Sequence, residues 1–211
     1  MKLYEIYTSI QGETQHAGRL CTLVRFAACD LRCRYCDTEY AFTGGQEVTR
    51  QAIVADVVAR GIHLVLLTGG EPLLQSELPE LARDLLAARF EVMVETGGHR
   101  DISPLPAEVV VILDVKTPGS GESDRNLQTN LQRLVSKDAV KFVICNEADY
   151  IWARARIIEH RLLDRCSVLI APSFGQVDPK NLVAWMLRDK LQARLNLQIH
   201  KYVWPAETRG V

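Results

Sequence analysis

The stretch Val109-Val110-Val111-Ile112-Leu113-Asp114-Val115-Lys116 is apolar for five residues and then turns polar. It reads as a strand over Val109–Val115. The missing in–out alternation marks a strand covered on both faces. Segments of the same kind predict strands over Cys21–Ala27, His63–Thr68, Glu91–Thr96, Val140–Cys145, Ser167–Ala171 and Leu197–Val203. Amphipathic stretches between them predict helices over Arg50–Arg60, Glu77–Arg89, Asp124–Val135, Glu147–His160 and Lys180–Leu191. Thr49 suits an N-cap and Gly61 a C-terminal stop.

Strand-then-helix alternation implies parallel strands. The segment Gly97–Pro106 breaks the rhythm, because it is too rich in Gly and Pro for a full helix. The expected architecture is therefore α/β: an incomplete, TIM-type barrel of mostly parallel strands with reduced helices, with a flat doubly wound sheet as the other option. No linker or repeat divides the chain, so one domain over residues 1–211 is expected.

The chain has 25 basic and 26 acidic residues, a net charge of −1, and no charge run. That balance argues against a protein that grips nucleic acid through its overall field. No apolar run approaches the ~18 residues of a membrane helix, and Glu5 interrupts any early apolar stretch. A cytoplasmic protein is expected, with no membrane partner. In either architecture the site lies at the C-terminal strand ends. Thr68-Gly69-Gly70-Glu71, Glu95-Thr96-Gly97, Asp114-Val115-Lys116 and Pro172-Ser173-Phe174 all follow apolar strands and would cluster there.

Three of the six cysteines, Cys29, Cys33 and Cys36, fall within eight residues. Three thiolates on one loop make a soft metal site. A structural zinc site wants four closed ligands, and neither His16 nor His63 is local to the loop. A [4Fe–4S] cluster can be held by three cysteines, leaving one iron open for a ligand. Three reduced cysteines without metal, or a zinc-held binding module, are the competing readings. Cys21, Cys145 and Cys166 sit in apolar contexts and read as core packing.

The spacing C-x3-C-x2-C, with Tyr35 before the last cysteine, resembles the radical S-adenosylmethionine (SAM) superfamily. Thr68-Gly69-Gly70-Glu71-Pro72 resembles its Gly-Gly-Glu-Pro segment. Glycines at a strand end let a ligand approach the backbone, and a carboxylate can receive a methionyl ammonium. The plain alternative is a strand-to-helix turn. Four further segments, Tyr7–Glu13, Arg25-Phe26-Ala27, Cys36-Asp37-Thr38 and His200-Lys201-Tyr202, are similar to the 7-carboxy-7-deazaguanine synthase family, and the resemblance covers nearly the whole chain.

That resemblance implies a small homodimer with an incomplete barrel, converting 6-carboxy-5,6,7,8-tetrahydropterin into 7-carboxy-7-deazaguanine with loss of ammonia, in the biosynthesis of queuosine and related deazapurines. It implies Cys29, Cys33 and Cys36 on the cluster and Thr38 on Mg2+. It implies SAM near Gly70, Asp114, Val115, Lys116, Ala171, Pro172, Ser173 and Phe174, with Glu71 and Glu95 as partners for its ammonium and ribose. The substrate would meet Ile10, Gln11, Gly12, Arg25, Thr68 and His200, the last at the end of the final strand. An electron donor such as flavodoxin or ferredoxin is also implied. Where family members often carry Ser-Pro-Lys, this chain has Asp114-Val115-Lys116, so the family's ribose contacts do not carry over directly, although Asp114 could itself accept from ribose hydroxyls. It also continues beyond the His-Lys pair, so a terminal-carboxylate contact found in some members does not carry over. Among radical enzymes, a glycyl-radical activase is the other reading, although it needs neither Arg25 nor the Gln11 loop. The helix over Glu147–His160 reads as a core stripe with a charged face, or as a dimer surface.

Overall fold

A computed structural model describes residues 1–211. Nine strands form one sheet: β1 (Lys2–Ile10), β2 (Leu20–Phe26), β3 (Gln46–Glu47), β4 (Leu64–Gly69), β5 (Glu91–Thr96), β6 (Val110–Val115), β7 (Ala139–Ile144), β8 (Ser167–Pro172) and β9 (Arg194–Leu195). Their order is β3-β1-β2-β4-β5-β6-β7-β8-β9. From β2 to β9 every pairing is parallel, while β1 runs antiparallel to β2. The helices are α1 (Arg50–Arg60), α2 (Leu78–Ala87), α3 (Gln128–Arg133), α4 (Glu147–Glu159), α5 (Pro179–Arg188) and α6 (His200–Val203).

The sheet is unclosed but strongly curved. In a flat sheet β1 and β9, seven strand intervals apart, would lie ~34 Å from each other at about 4.8 Å per interval. Here the loop after β1 touches the loop after β9: Thr14 N–H donates to Asn196 Oδ1 at 2.7 Å, and Ile199 N–H donates to the Gly12 carbonyl at 2.9 Å. The incomplete barrel is therefore the architecture, not the flat sheet.

Alternate residues of the parallel strands face opposite ways. Val24, Val65, Val94, Leu113, Phe142 and Ile170 pack outward in the large core, which includes Ile53 and Val57 of α1, Leu81 and Leu85 of α2 and Tyr150 and Ile157 of α4. Cys21, Leu23, Leu66, Met93, Ile112 and Leu169 point inward and form a smaller apolar floor. Both faces are dry, which is why these strands read as continuous apolar runs.

Several expectations need correction. Leu197–Val203 is not a strand; β9 comes earlier and His200–Val203 is the short helix α6. The polar groups of that segment bond the loop after β1 instead of a neighbouring strand: Gln198 Nε2 donates to Glu13 Oε1 at 2.8 Å. No strand is expected before Cys21, yet Leu3–Ile10 pairs along β2. The helix expected over Asp124–Val135 shrinks to α3, because Asn126 donates to the Lys116 and Ser123 carbonyls and holds a loop there. On α4, Ile151 and Ile158 are exposed and do not join the core stripe. Thr49 and Gly61 cap α1 as expected, through the Ala52 N–H and a left-handed turn.

Two glycines at the end of β4 allow the backbone after β2 to lie directly against it. A Cβ on Gly69 would stand 2.2 Å from the Phe26 carbonyl oxygen, and one on Gly70 would stand 2.2 Å from that of Ala28. Gly70 N–H donates to the Phe26 carbonyl and Glu71 N–H to that of Ala28. Gly70→Ala must therefore push backbone from backbone. It is expected to cost ~3 kcal/mol or more in urea unfolding, whereas Gly61→Ala, with nothing within 4 Å of its Cβ, should cost ~1 kcal/mol through its left-handed backbone alone.

Candidate active site

Along the inner face the chemistry changes at one level. Beyond the apolar floor, the next inward positions are Arg25 on β2, Thr68 on β4, Glu95 on β5, Asp114 on β6 and Lys141 on β7. Arg25 is registered against Thr68, and Asp114 against Lys141. These residues line a cavity of about 570 Å³ at the C-terminal strand ends. Its size suits a small-molecule site.

Sequence-predicted residues converge on that cavity from separate parts of the chain. Cys29, Cys33, Cys36, Thr38, Gly70, Glu95, Asp114 and Lys116 line it, as do Ala171, Pro172, Ser173 and Phe174. Ile10, Gln11, Gly12, Arg25, Thr68 and His200 line it too. Two predicted residues do not. The Val115 side chain faces outward into the large core. Glu71 is fully buried, and its carboxylate accepts from Leu73 N–H, Thr96 Oγ1 and Gly97 N–H at 2.9–3.0 Å. Its oxygens hold the β4 and β5 strand ends together, so an ammonium would have to displace those bonds. The paired glycines likewise serve backbone contact, although Gly70 also borders the cavity. His200 reaches the cavity from α6, not from a strand end. Its ring packs on Gly12, where a Cβ would lie 2.0 Å from Nδ1. Burial lowers its pKa.

The cysteine loop follows Ala28, which adopts φ 78°. All three thiols are free and half-buried. Burial pushes Cys33 up to about 11 and raises Cys29 and Cys36, while the Lys116 ammonium pulls all three toward thiolate. Such thiols ionise on binding metal. All three thiols border one cavity. A structural zinc site wants four closed ligands, whereas a [4Fe–4S] cluster takes three thiolates, one to each of three irons. The donor set of three cysteines on one loop fits the cluster. The sequence reading missed the clamp behind this loop. Asp30 accepts from His99 Nε2 at 2.7 Å, Arg100 at 2.7 Å and Arg125 at 3.0 Å, tying the loop to the segments after β5 and β6. Those bonds hold the Asp30 carboxyl well below its ordinary value against the opposing effect of burial.

Arg25 is charged and mostly shielded, its side chain 12% exposed. Its Nε donates to Glu5 at 2.8 Å and one terminal nitrogen donates to Tyr7 Oη at 3.2 Å. Burial works against the charge, but Tyr7, Tyr40 and Glu5 outweigh it and raise the pKa. The other terminal nitrogen makes no protein hydrogen bond, so the fork keeps donors for an anion. Across the cavity Lys141 contacts Glu95, Glu13 and Asp114. Asp114 also pairs with Lys116 at 3.1 Å. Burial raises the Glu95 carboxyl, whereas the two lysines keep Asp114 below its usual range despite burial.

Three cavity-lining residues have a buried polar atom without a partner: Gln11 Nε2, Tyr35 Oη and Asp114 Oδ1. Such atoms are rare and call for a ligand or water. Neither Glu13 nor Lys141 was assigned a role from sequence. The signal for Lys141 was present, as a lysine inside the apolar run Val140–Ile144. Ala206–Val211 also border the cavity, with the Arg209 guanidinium 4.1 Å from the Tyr40 ring centroid.

The radical SAM superfamily model matches residues 23–113, the part that carries the cysteine loop and the strands β4 and β5. The crystal structure of QueE from Escherichia coli shares the fold, with a TM-score of 0.76 over 93% of each chain at 19% identity. Streptococcus suis SuiB bound to S-adenosylmethionine matches 83% of this chain and 51% of its own, with a TM-score of 0.58 at 14% identity. Fold and cysteine loop together define a radical SAM protein. Two curated relatives are both 7-carboxy-7-deazaguanine synthases: that of Koribacter versatilis is 43% identical over all of both chains, and that of Chlorobaculum tepidum is 41% identical over all of this chain and 97% of its own. The chain belongs to the 7-carboxy-7-deazaguanine synthase family.

Cys33→Ala is expected to abolish cluster assembly, read as iron and sulfide per chain after anaerobic reconstitution. Asp30→Asn should keep the fold, losing about 1–2 kcal/mol in urea unfolding, but assemble less cluster than the parent.

Proposed function

We propose that the protein is a radical SAM lyase that converts 6-carboxy-5,6,7,8-tetrahydropterin to 7-carboxy-7-deazaguanine with loss of ammonia. Family membership supports this reading. The observation that carries it is one cavity bringing together the three cysteines, the unspent donors of Arg25 and the partnerless atoms of Gln11 and Asp114.

Cys29, Cys33 and Cys36 would hold the [4Fe–4S] cluster, and SAM would lie beside it. When bound, these groups supply a 5′-deoxyadenosyl radical able to take hydrogen from C6 of the pterin. The chain does the positioning and shielding. Gly70 borders the cavity and lets the cluster loop lie against the end of β4. Asp114 Oδ1 is the unspent acceptor for a ribose hydroxyl, replacing the serine that family members often carry. Glu95 lies on the same side, and Ala171–Phe174 form the wall where adenine would rest. Arg25 faces the substrate carboxylate with a planar fork. Ile10, Gln11, Gly12, Thr68 and His200 frame the pterin. The dry floor beneath limits access of water to the radical.

Thr38 is the proposed Mg2+ ligand. Its Oγ1 donates to Asp37 Oδ1 at 2.9 Å, which places a carboxylate beside the hydroxyl. A hydroxyl is a weak ligand alone, so substrate oxygens and water would complete the shell. The reducing electron would come from a carrier such as flavodoxin or ferredoxin. The six unpaired cysteines suit a reducing cytoplasm. A homodimer is proposed as in the family, and exposed Ile151 and Ile158 on α4 offer an apolar surface for a second copy.

The decisive assay uses anaerobically reconstituted protein with SAM, reductant, Mg2+ and 6-carboxy-tetrahydropterin, read by product mass. Formation of 7-carboxy-7-deazaguanine is expected. Deoxyadenosine without that product, from a verified and reducible cluster, would discard the substrate assignment. Arg25→Ala should keep the cluster and weaken substrate binding by about ten- to a hundred-fold, the worth of a hydrogen bond to a charged group. Unchanged affinity would remove the carboxylate clamp. Thr38→Ala should blunt the response of the rate to Mg2+.

A further inference from the structure

Lys141 interrupts an apolar strand, with Val140 and Phe142 on either side of it in the core. Its side chain is only 7% exposed. Its ammonium meets three carboxylates from three segments: Glu95 on β5, Asp114 on β6 at 3.4 Å, and Glu13 in the loop after β1 at 3.2 Å. Burial opposes its charge, but the three carboxylates hold its pKa well above the ordinary value.

A buried charge cluster is a poor way to gain stability, because desolvation offsets much of the attraction. What it does supply is geometry. Glu13 follows Ile10-Gln11-Gly12, on the proposed substrate side. It is held there by Asn196 at 3.2 Å and Gln198 at 2.8 Å. Glu95 and Asp114 lie on the proposed nucleoside side. Carboxylates cannot bond one another when ionised, so the two sides meet through a cation. Lys116 reaches Asp114 but contacts neither Glu13 nor Glu95, whereas Lys141 reaches all three.

The geometry points to Lys141 as a positioning residue that sets the spacing between the two halves of the cavity by holding Glu13, Glu95 and Asp114 on one ammonium. This inference rests on the proposed placement of SAM and substrate. Hydrogen transfer needs its two carbons held at near-contact distance, and small misplacements are costly. Loss of the tie therefore lets SAM cleavage proceed without productive transfer.

Because the contact between Glu13 and the nucleoside side runs through Lys141, its effect is measurable with SAM alone. In the reconstituted holoprotein without pterin, Glu13→Gln is expected to weaken SAM binding by about five-fold, a typical coupling between contacting charges. The same change made in a Lys141→Met background should not weaken SAM binding further, because the remaining effect of Glu13 on Glu95 is like-charge repulsion. Lys141→Met should also raise the ratio of deoxyadenosine to product in the full reaction, and Lys141→Arg should bring it back toward the parent value. SAM affinity within two-fold of the parent for Glu13→Gln, at full iron content, overturns the inference. So does a full additional effect in the Lys141→Met background. If Lys141→Met does not retain a cluster, the Glu13→Gln measurement in the otherwise intact chain decides alone. Failure of the parent holoprotein to form product would instead count against the proposed reaction, and the binding comparison would still decide on the tie.

Discussion

Every charge on the inner face of this sheet sits where water is scarce, and each must find a partner there. That constraint shapes the site. The parallel strands are dry on both sides, with an outer core against the helices and an inner floor of Leu23, Leu66, Met93, Ile112 and Leu169. One level above that floor, Arg25, Glu95, Asp114 and Lys141 turn inward together. Unpaired, any of them would be strongly destabilising. Arg25 is settled by Glu5 and Tyr7, and the remaining three by one another with Lys116 and Glu13. The pairing is incomplete by design of the geometry: an arm of Arg25 and one oxygen of Asp114 are left over, on opposite sides of the cavity.

The second constraint is contact between backbones. Phe26–Cys29 lies against Gly69 and Gly70 so closely that no Cβ fits between them. This brings the cysteine loop over the strand ends, and Asp30 then pins it from behind through His99, Arg100 and Arg125. Glu71, at the turn after β4, locks that turn to Thr96 and Gly97 of the next strand end. The cysteine loop, the Ala171–Phe174 segment and Arg25 border one cavity rim, although they come from both ends of the chain.

The parallel core was legible because strands dry on both faces must be written in Val, Leu and Ile, and the cysteine spacing carried its own chemistry. What stayed hidden depended on tertiary partners. Glu71 reads as a ligand group in sequence, and only the fold shows its oxygens already taken by Leu73, Thr96 and Gly97. The segment Leu197–Val203 has strand-like side chains, yet Gln198 and Ile199 bond a loop nearly the whole chain away. Asp30 is a polar residue between cysteines until His99, Arg100 and Arg125 are in place around it. Lys141 was the one readable signal passed over, a lysine inside an apolar run like the arginine at position 25.

The central claim is that this rim holds the pterin with C6 directed at the 5′ carbon of SAM. The most direct measurement is the mass of 5′-deoxyadenosine formed by the holoenzyme from substrate deuterated at C6. Deuterium in the deoxyadenosine, with 7-carboxy-7-deazaguanine formed alongside, is the expected result. Unlabelled deoxyadenosine, with no deazaguanine formed by protein carrying a full and reducible cluster, would contradict the account.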